Sequence, residues 1–213
     1  MKRAFTVLPV LLLLIVPALG FAAAAAPAKT MVCVGIYSET AAGSISYRIG
    51  KANWIVVKVG DKIPMNAEIM VNVDRDWIEL IQSDKPLQVY EIDGDPDGKV
   101  ITKTVADILK MKPRAVAFPK GTKDKPDAKF KDKLVVTQYL GRQIYMTADG
   151  DSKDIKYGDV LERTGKVKII AINNTLDLQN AQGGVTQVVG PLNFDVEKVL
   201  TNQQLYKYLN VLR

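Results

Sequence analysis

A chain of 213 residues with no histidine and one cysteine, Cys33, is closed to much of enzyme chemistry. Ser-His-Asp and Cys-His catalysis, histidine-ligated zinc and an internal disulfide are all excluded by those two counts. The formal charge is +6, and residues 110–133 hold nine basic side chains against three acids, so the surplus is concentrated in one segment.

In chain order, Lys2 and Arg3 precede an apolar stretch over residues 4–21, and Ala22-Ala23-Ala24-Ala25-Ala26-Pro27-Ala28 follows. A basic start, an apolar middle and a small-residue tail make the three-part pattern of a secretory signal peptide, here residues 1–28. Pro9, Pro17 and Gly20 interrupt the apolar run, which suits a cleaved leader better than a retained span. The mature chain is expected to begin between Ala25 and Thr30, in the periplasm or at the cell surface, with its charge reduced to +4 by loss of Lys2 and Arg3. Cys33 lies between apolar neighbours and reads as a buried thiol.

The mature sequence reads mainly as strand. Alternating or β-branched runs cover residues 45–49, 54–59, 69–73, 77–81 and 87–92, with turn chemistry between them at Gly60-Asp61, Asp74-Arg75-Asp76 and Ser83-Asp84-Lys85-Pro86. Asp93, Asp95 and Asp97, followed by Gly98, match the first half of a calcium loop, although position twelve is Thr104 instead of glutamate. The two readings are a weak calcium site and a plain Asp-rich turn. Val105, Ile108, Leu109 and Met111 form an apolar stripe behind Thr104, so the spacing predicts a capped helix over 105–111, ended by Pro113. Residues 112–133 read as a basic linker. Strand patterns return at 133–137, 143–146, 167–172 and 185–189, and an apolar face predicts a helix from about residue 195 to 212.

The second half repeats features of the first. At an offset of 98, Tyr47 falls on Tyr145, Lys58 on Lys156, Gly60-Asp61 on Gly158-Asp159 and Leu80 on Leu178, while Glu79 meets Asp177. In each turn glycine permits a positive φ and aspartate folds onto the following amides, a structural role for Gly60, Asp61, Gly158 and Asp159. The unit runs from Trp54 through Gly60-Asp61-Lys62-Ile63 to Trp77-Ile78-Glu79-Leu80; the second copy has Ser152 in place of Trp54 and keeps Gly158-Asp159-Val160-Leu161 and Leu176-Asp177-Leu178. This unit resembles the FecR-like domain of bacterial envelope proteins. The resemblance implies a compact β domain that transmits or scaffolds protein contacts in the periplasm and has no catalytic residues. Signalling members carry a cytoplasmic segment before their membrane span, and none precedes the apolar stretch here, so a stand-alone envelope module is the better expectation.

The expected architecture is therefore mostly β: two small sandwich- or barrel-like repeats, at residues 29–100 and 134–213, joined by a short helix and the basic linker over 101–133, with a C-terminal helix. The expected function is a non-catalytic structural or adaptor module that meets other envelope proteins, without nucleic-acid partners and without a required cofactor. Two alternatives stand beside it. One is an anionic glycan or lipid-headgroup binder using Lys120, Lys123, Lys125, Lys129 and Lys131. The other is a periplasmic signal-sensing domain.

Overall fold

The structure is a computed structural model and describes residues 29–38, 45–72 and 75–201. The leader, and the expected C-terminal helix beyond Thr201, lie outside the described residues.

The first unit consists of β1 (Thr30–Tyr37), β2 (Ile45–Ile49), β3 (Ile55–Val56), β4 (Lys62–Pro64), β5 (Ala67–Val71), β6 (Trp77–Gln82), β7 (Lys85–Asp93), β8 (Ile101–Thr104) and α1 (Val105–Ile108). A short strand, β9 (Arg114–Ala115), follows. The second unit repeats the series as β10 (Lys133–Leu140), β11 (Gln143–Met146), β12 (Ser152–Asp154), β13 (Val160–Glu162), β14 (Lys166–Ile169), β15 (Thr175–Gln179), β16 (Val185–Val189), β17 (Leu192–Asp195) and α2 (Val196–Thr201).

The pairings match element for element. β2 pairs β3 and β5, and β5 pairs β8, just as β11 pairs β12 and β14, and β14 pairs β17. Even the irregularity recurs: β1 bulges between Cys33 and Gly35 against β6, and β10 bulges between Val136 and Gln138 against β15. Bulges are built features of a strand, so a shared one is strong support for duplication. Each unit is a sandwich of a smaller sheet, β3-β2-β5-β8 or β12-β11-β14-β17, over its share of a large sheet. No closed barrel forms among the described residues.

That large sheet runs β16-β15-β10-β1-β6-β7-β9 and is common to both units. Its centre is the parallel pair of equivalent strands β1 and β10, in register Gly35 with Tyr139 and Ile36 with Leu140. By the shared bulge Ile36 corresponds to Tyr139, so the equivalent residues sit one step out of register. Successive side chains of a strand point to opposite faces, hence the two cores lie on opposite sides of the one sheet. Met31, Cys33, Ile78, Leu80 and Ile92 fill the first core with Ile45, Ile69 and Val105. Leu134, Val136, Tyr139, Leu176 and Leu178 fill the second with Tyr145, Val167 and Val196. Gly35 is fixed by this seam, because a Cβ there would overlap the Tyr139 ring.

Some expectations need correction. The strand expected over 54–59 is only β3, since the chain enters the Gly-Asp turn at Lys58. The strand expected over 167–172 stops at Ile169, where Asn174 N–H donates to Ala171 O and Asn173 takes a φ of 66°. The helix expected over 105–111 is regular only as α1 and continues through Met111 as turns; its cap is as expected, with Thr104 Oγ1 accepting from Asp107 N–H at 3.1 Å. The basic segment is more than a connector. It supplies β9, and its Phe118 and Phe130 pack on Val135, Val160 and Ala181 of the second unit. The run's apolar residues were too sparse to give a periodic signal.

Candidate functional site

The two Gly-Asp turns are built alike. Lys58 N–H donates to Asp61 Oδ2 at 2.9 Å, and Lys156 N–H to Asp159 Oδ2 at 3.0 Å. Gly60 has a φ of 90° and Gly158 of 78°, in the region that favours glycine. Each glycine N–H reaches back to its first strand, Gly60 to Cys33 O and Gly158 to Val136 O, both at 2.8 Å. These four residues form equivalent turns, with one correction to the expectation: the amide that each aspartate takes lies three residues before it and does not follow it.

What the second turn touches is a different matter. It lies on the outward face of the first unit, the side of β1, β6 and β7 turned away from their own core. There Glu79 is fully buried and its carboxylate accepts from the Arg114 guanidinium, from Tyr157 N–H at 2.8 Å and from the Tyr139 hydroxyl. Burial pushes its pKa up, and these donors oppose the rise. Arg114 also donates to Tyr157 O at 2.8 Å. Lys156 pairs with Glu91, the cross-strand neighbour of Glu79, and lies 5.1 Å from the centre of the Trp77 ring. Trp77 stacks on Tyr37 with ring centres 3.6 Å apart and donates through Nε1 to Tyr139 at 2.7 Å. First unit, connecting segment and second unit are thus fastened at one buried carboxylate.

Among the described residues, the corresponding outward face of the second unit is open at its Leu140 and Asp177 end. The connecting segment covers its other end, where Phe118 and Phe130 pack on Val135 and Gln179 Nε2 donates to Pro119 O at 3.5 Å. Glu79 becomes Asp177 and Glu91 becomes Gln187, and Gln187 Nε2 donates to Asp177 Oδ1 at 2.9 Å. Burial raises the Asp177 pKa, with the Gln187 bond opposing. Tyr37, 3% exposed, corresponds to Leu140 at 37%, and Val89, 1% exposed, to Val185 at 52%. Polar Thr137 and Gln179 stand where the first unit has Val34 and Ile81. Above this face lies a cleft of about 690 Å³ between the units. Its floor is Gln138, Asp177 and Gln187, its walls are Val56, Val57 and Lys58 from the first turn and Leu140 and Asn174 from the second unit, and Ile172, 74% exposed, stands at its rim. A smaller cavity of about 310 Å³ lies at the matching place beside Trp77 and Asp93.

Sequence reasoning found the repeat but not this cleft, whose residues are far apart in the chain and carry no motif. The one signal available was the alignment of Glu79 with Asp177, legible as a shared acid and not as a closed and an open version of one face.

The other sequence-predicted residues are dispersed. Asp95 Oδ1 accepts from Asp97 N–H at 2.8 Å and Gly98 N–H closes on Asp95 O at 2.9 Å, the geometry of an Asp-rich turn. Asp97 pairs with Lys99 at 3.5 Å, and Asp93 hydrogen-bonds Glu91, with burial and that neighbouring acid raising its pKa. Among the described residues no three potential ligands are placed to hold a metal ion. Lys120, Lys123, Lys125, Lys129 and Lys131 are all exposed. They ride on a folded loop in which Asp127 accepts from the N–H groups of Lys120 and Lys129, each at 3.1 Å, and Asp127 N–H donates to Ala181 O at 2.8 Å. Cys33 is buried and its thiol pKa is pushed far up by burial, which makes it an inert core residue.

No protein-family model matches this chain, and neither does any curated protein or solved structure.

Proposed function

We propose that this chain is a non-catalytic, exported protein-interaction module of a bacterial envelope, FecR-like in kind, that holds a segment of another envelope protein in the cleft between its repeats. The observation behind this reading is the asymmetry of two equivalent faces. One is spent on joining the repeats, while the other presents Val56, Leu140 and Ile172 to solvent around a polar floor. An apolar rim around placed polar groups is how small binding clefts are made, and exposed apolar clusters commonly mark partner surfaces. The histidine-free composition and the leader pattern support the non-enzymatic, exported part of the reading.

Photo-crosslinking in the native envelope tests it. A crosslinker at Leu140 or Ile172 should trap one defined protein, and Leu140→Asp should remove that product without unfolding the chain. Equal trapping from the exposed Lys123, on the basic loop and outside the cleft lining, would sink the cleft as the site.

A second reading rests on the five lysines, which stand exposed on one ordered loop. Such a loop suits an anionic glycan or lipid surface. Replacing all five by Gln should then abolish binding to anionic vesicles, and raised salt should do the same, because exposed charges are screened over about 8 Å at physiological ionic strength. Retention unaffected by both changes would remove this reading.

A further inference from the structure

On the closed face the cross-strand acids Glu79 and Glu91 are met by two cations, Arg114 and Lys156. Glu79 takes two further donors, Tyr157 N–H and the Tyr139 hydroxyl. At the open end of the second unit's face the same two places hold Asp177 and Gln187. Among the described residues none of the four donors is matched there. Ile36, which has no hydroxyl, stands where Tyr139 does. Lys58 and Val59 of the first turn stand where Lys156 and Tyr157 do, and they line the cleft without a bond to Asp177. The Asp177 carboxylate is left with the Gln187 amide and no salt bridge among the described residues.

We infer that the cleft recognises a single lysine or arginine of the partner's segment, with Asp177 taking the cation and the apolar walls taking the residues beside it. This rests on the reading of the cleft as a partner site. Charge carries it first. Asp177 is a partly buried carboxylate without a counter-charge, and its equivalent, Glu79, shows what such a group takes at this place in the fold. Hydrogen-bonding capacity points the same way. Gln187 turns its amide nitrogen to Asp177 Oδ1 at 2.9 Å, and Asn174 turns its own to Arg142 O at 3.2 Å. The oxygens of both amides and the second oxygen of Asp177 therefore remain as acceptors, which suits a group rich in N–H and lacking any acceptor, an ammonium or a guanidinium. Lys58 is the other charged residue of the lining and repels a second cation, so the cleft selects one basic residue over a polybasic run. Ile36, Val56, Val57, Leu140 and Ile172 supply apolar surface for the long stem of that side chain and for its neighbours. A volume of about 690 Å³ holds such a side chain together with part of the chain that carries it.

Random peptides displayed on phage and selected on the intact chain test the inference. Enriched peptides should share one lysine or arginine between apolar residues. They should bind the Asp177→Asn variant about tenfold more weakly, and lose about as much when citrulline replaces arginine or norleucine replaces lysine. Asp177→Asn keeps a partner for Gln187 and should melt no lower than the parent, which separates lost binding from lost folding. Peptides that Leu140→Asp releases and Asp177→Asn still holds would overturn the inference and leave the cleft standing as the partner site. Peptides indifferent to Leu140→Asp, or no enrichment at all, would remove the cleft reading together with it.

Discussion

The outward faces of the two units descend from one pattern and have been put to opposite uses. On the first, Val34, Tyr37, Ile81 and Val89 are buried against the second core, and Glu79 is tied to Arg114 and to the backbone of the second Gly-Asp turn. On the second, the same positions carry Thr137, Leu140, Gln179 and Val185, and the first Gly-Asp turn stands back across a cleft. Placing the cores on opposite sides of a shared sheet creates two equivalent grooves. Filling only one joins the repeats and leaves a cleft at the other.

The sharpest way to break this comparison is to remove the tie. Arg114→Ala leaves Glu79 buried with its charge uncompensated, which should cost about 3 kcal/mol in chemical denaturation, the low end for breaking a buried pair because Tyr157 N–H remains. The counterpart change, Gln187→Ala beside Asp177, should cost about 0.5 kcal/mol. Similar losses at the two sites would mean that the faces are not used differently.

Alkaline pH probes the same junction. Burial, with Glu79 nearby, pushes the Tyr157 phenol up to about 12 and also holds Tyr139 well above the usual phenol value. The unfolded chain releases these protons near pH 10, so the stability they contribute is complete below pH 10 and is lost as pH rises toward 12. Tyr157→Phe should flatten part of that loss, on the order of 2 kcal/mol across the window. A variant as alkali-sensitive as the parent would place the titration elsewhere. At the turns, by contrast, the units should behave nearly alike: Asp61→Ala and Asp159→Ala each remove one bond to a backbone N–H, worth about 1 kcal/mol, and Asp159→Ala adds about 0.5 kcal/mol for its 3.0 Å pair with Lys153. A threefold difference between them would undo the equivalence of the turns.

Much of the architecture was legible because it is written locally. The β2, β6, β7 and β11 runs alternate or are β-branched, Thr104 and Asp107 announce the α1 cap, and Gly-Asp marks both turns. Elements of two or three residues, such as β9 and β12, are too short for a period to register and exist because neighbours pair with them. The candidate site was hidden for a related reason. Its distinction lies in whether Tyr37 and Leu140 are covered, which follows from the one-step offset of β1 and β10, a long-range register that no single strand's sequence states. In the basic segment the charge is conspicuous in the sequence, while the structural work is done by Arg114, Phe118 and Phe130, which no period marks.

The central claim, that equivalent faces are closed in one unit and open in the other, is tested most directly by one pair of variants followed by thermal melting. Tyr37→Asp buries a charge under Trp77 and should cost more than about 4 kcal/mol, enough to unfold most of the chain. Leu140→Asp, at the equivalent position, should cost about 1 kcal/mol at most and keep the native melting profile. Comparable destabilisation by the two would contradict the account.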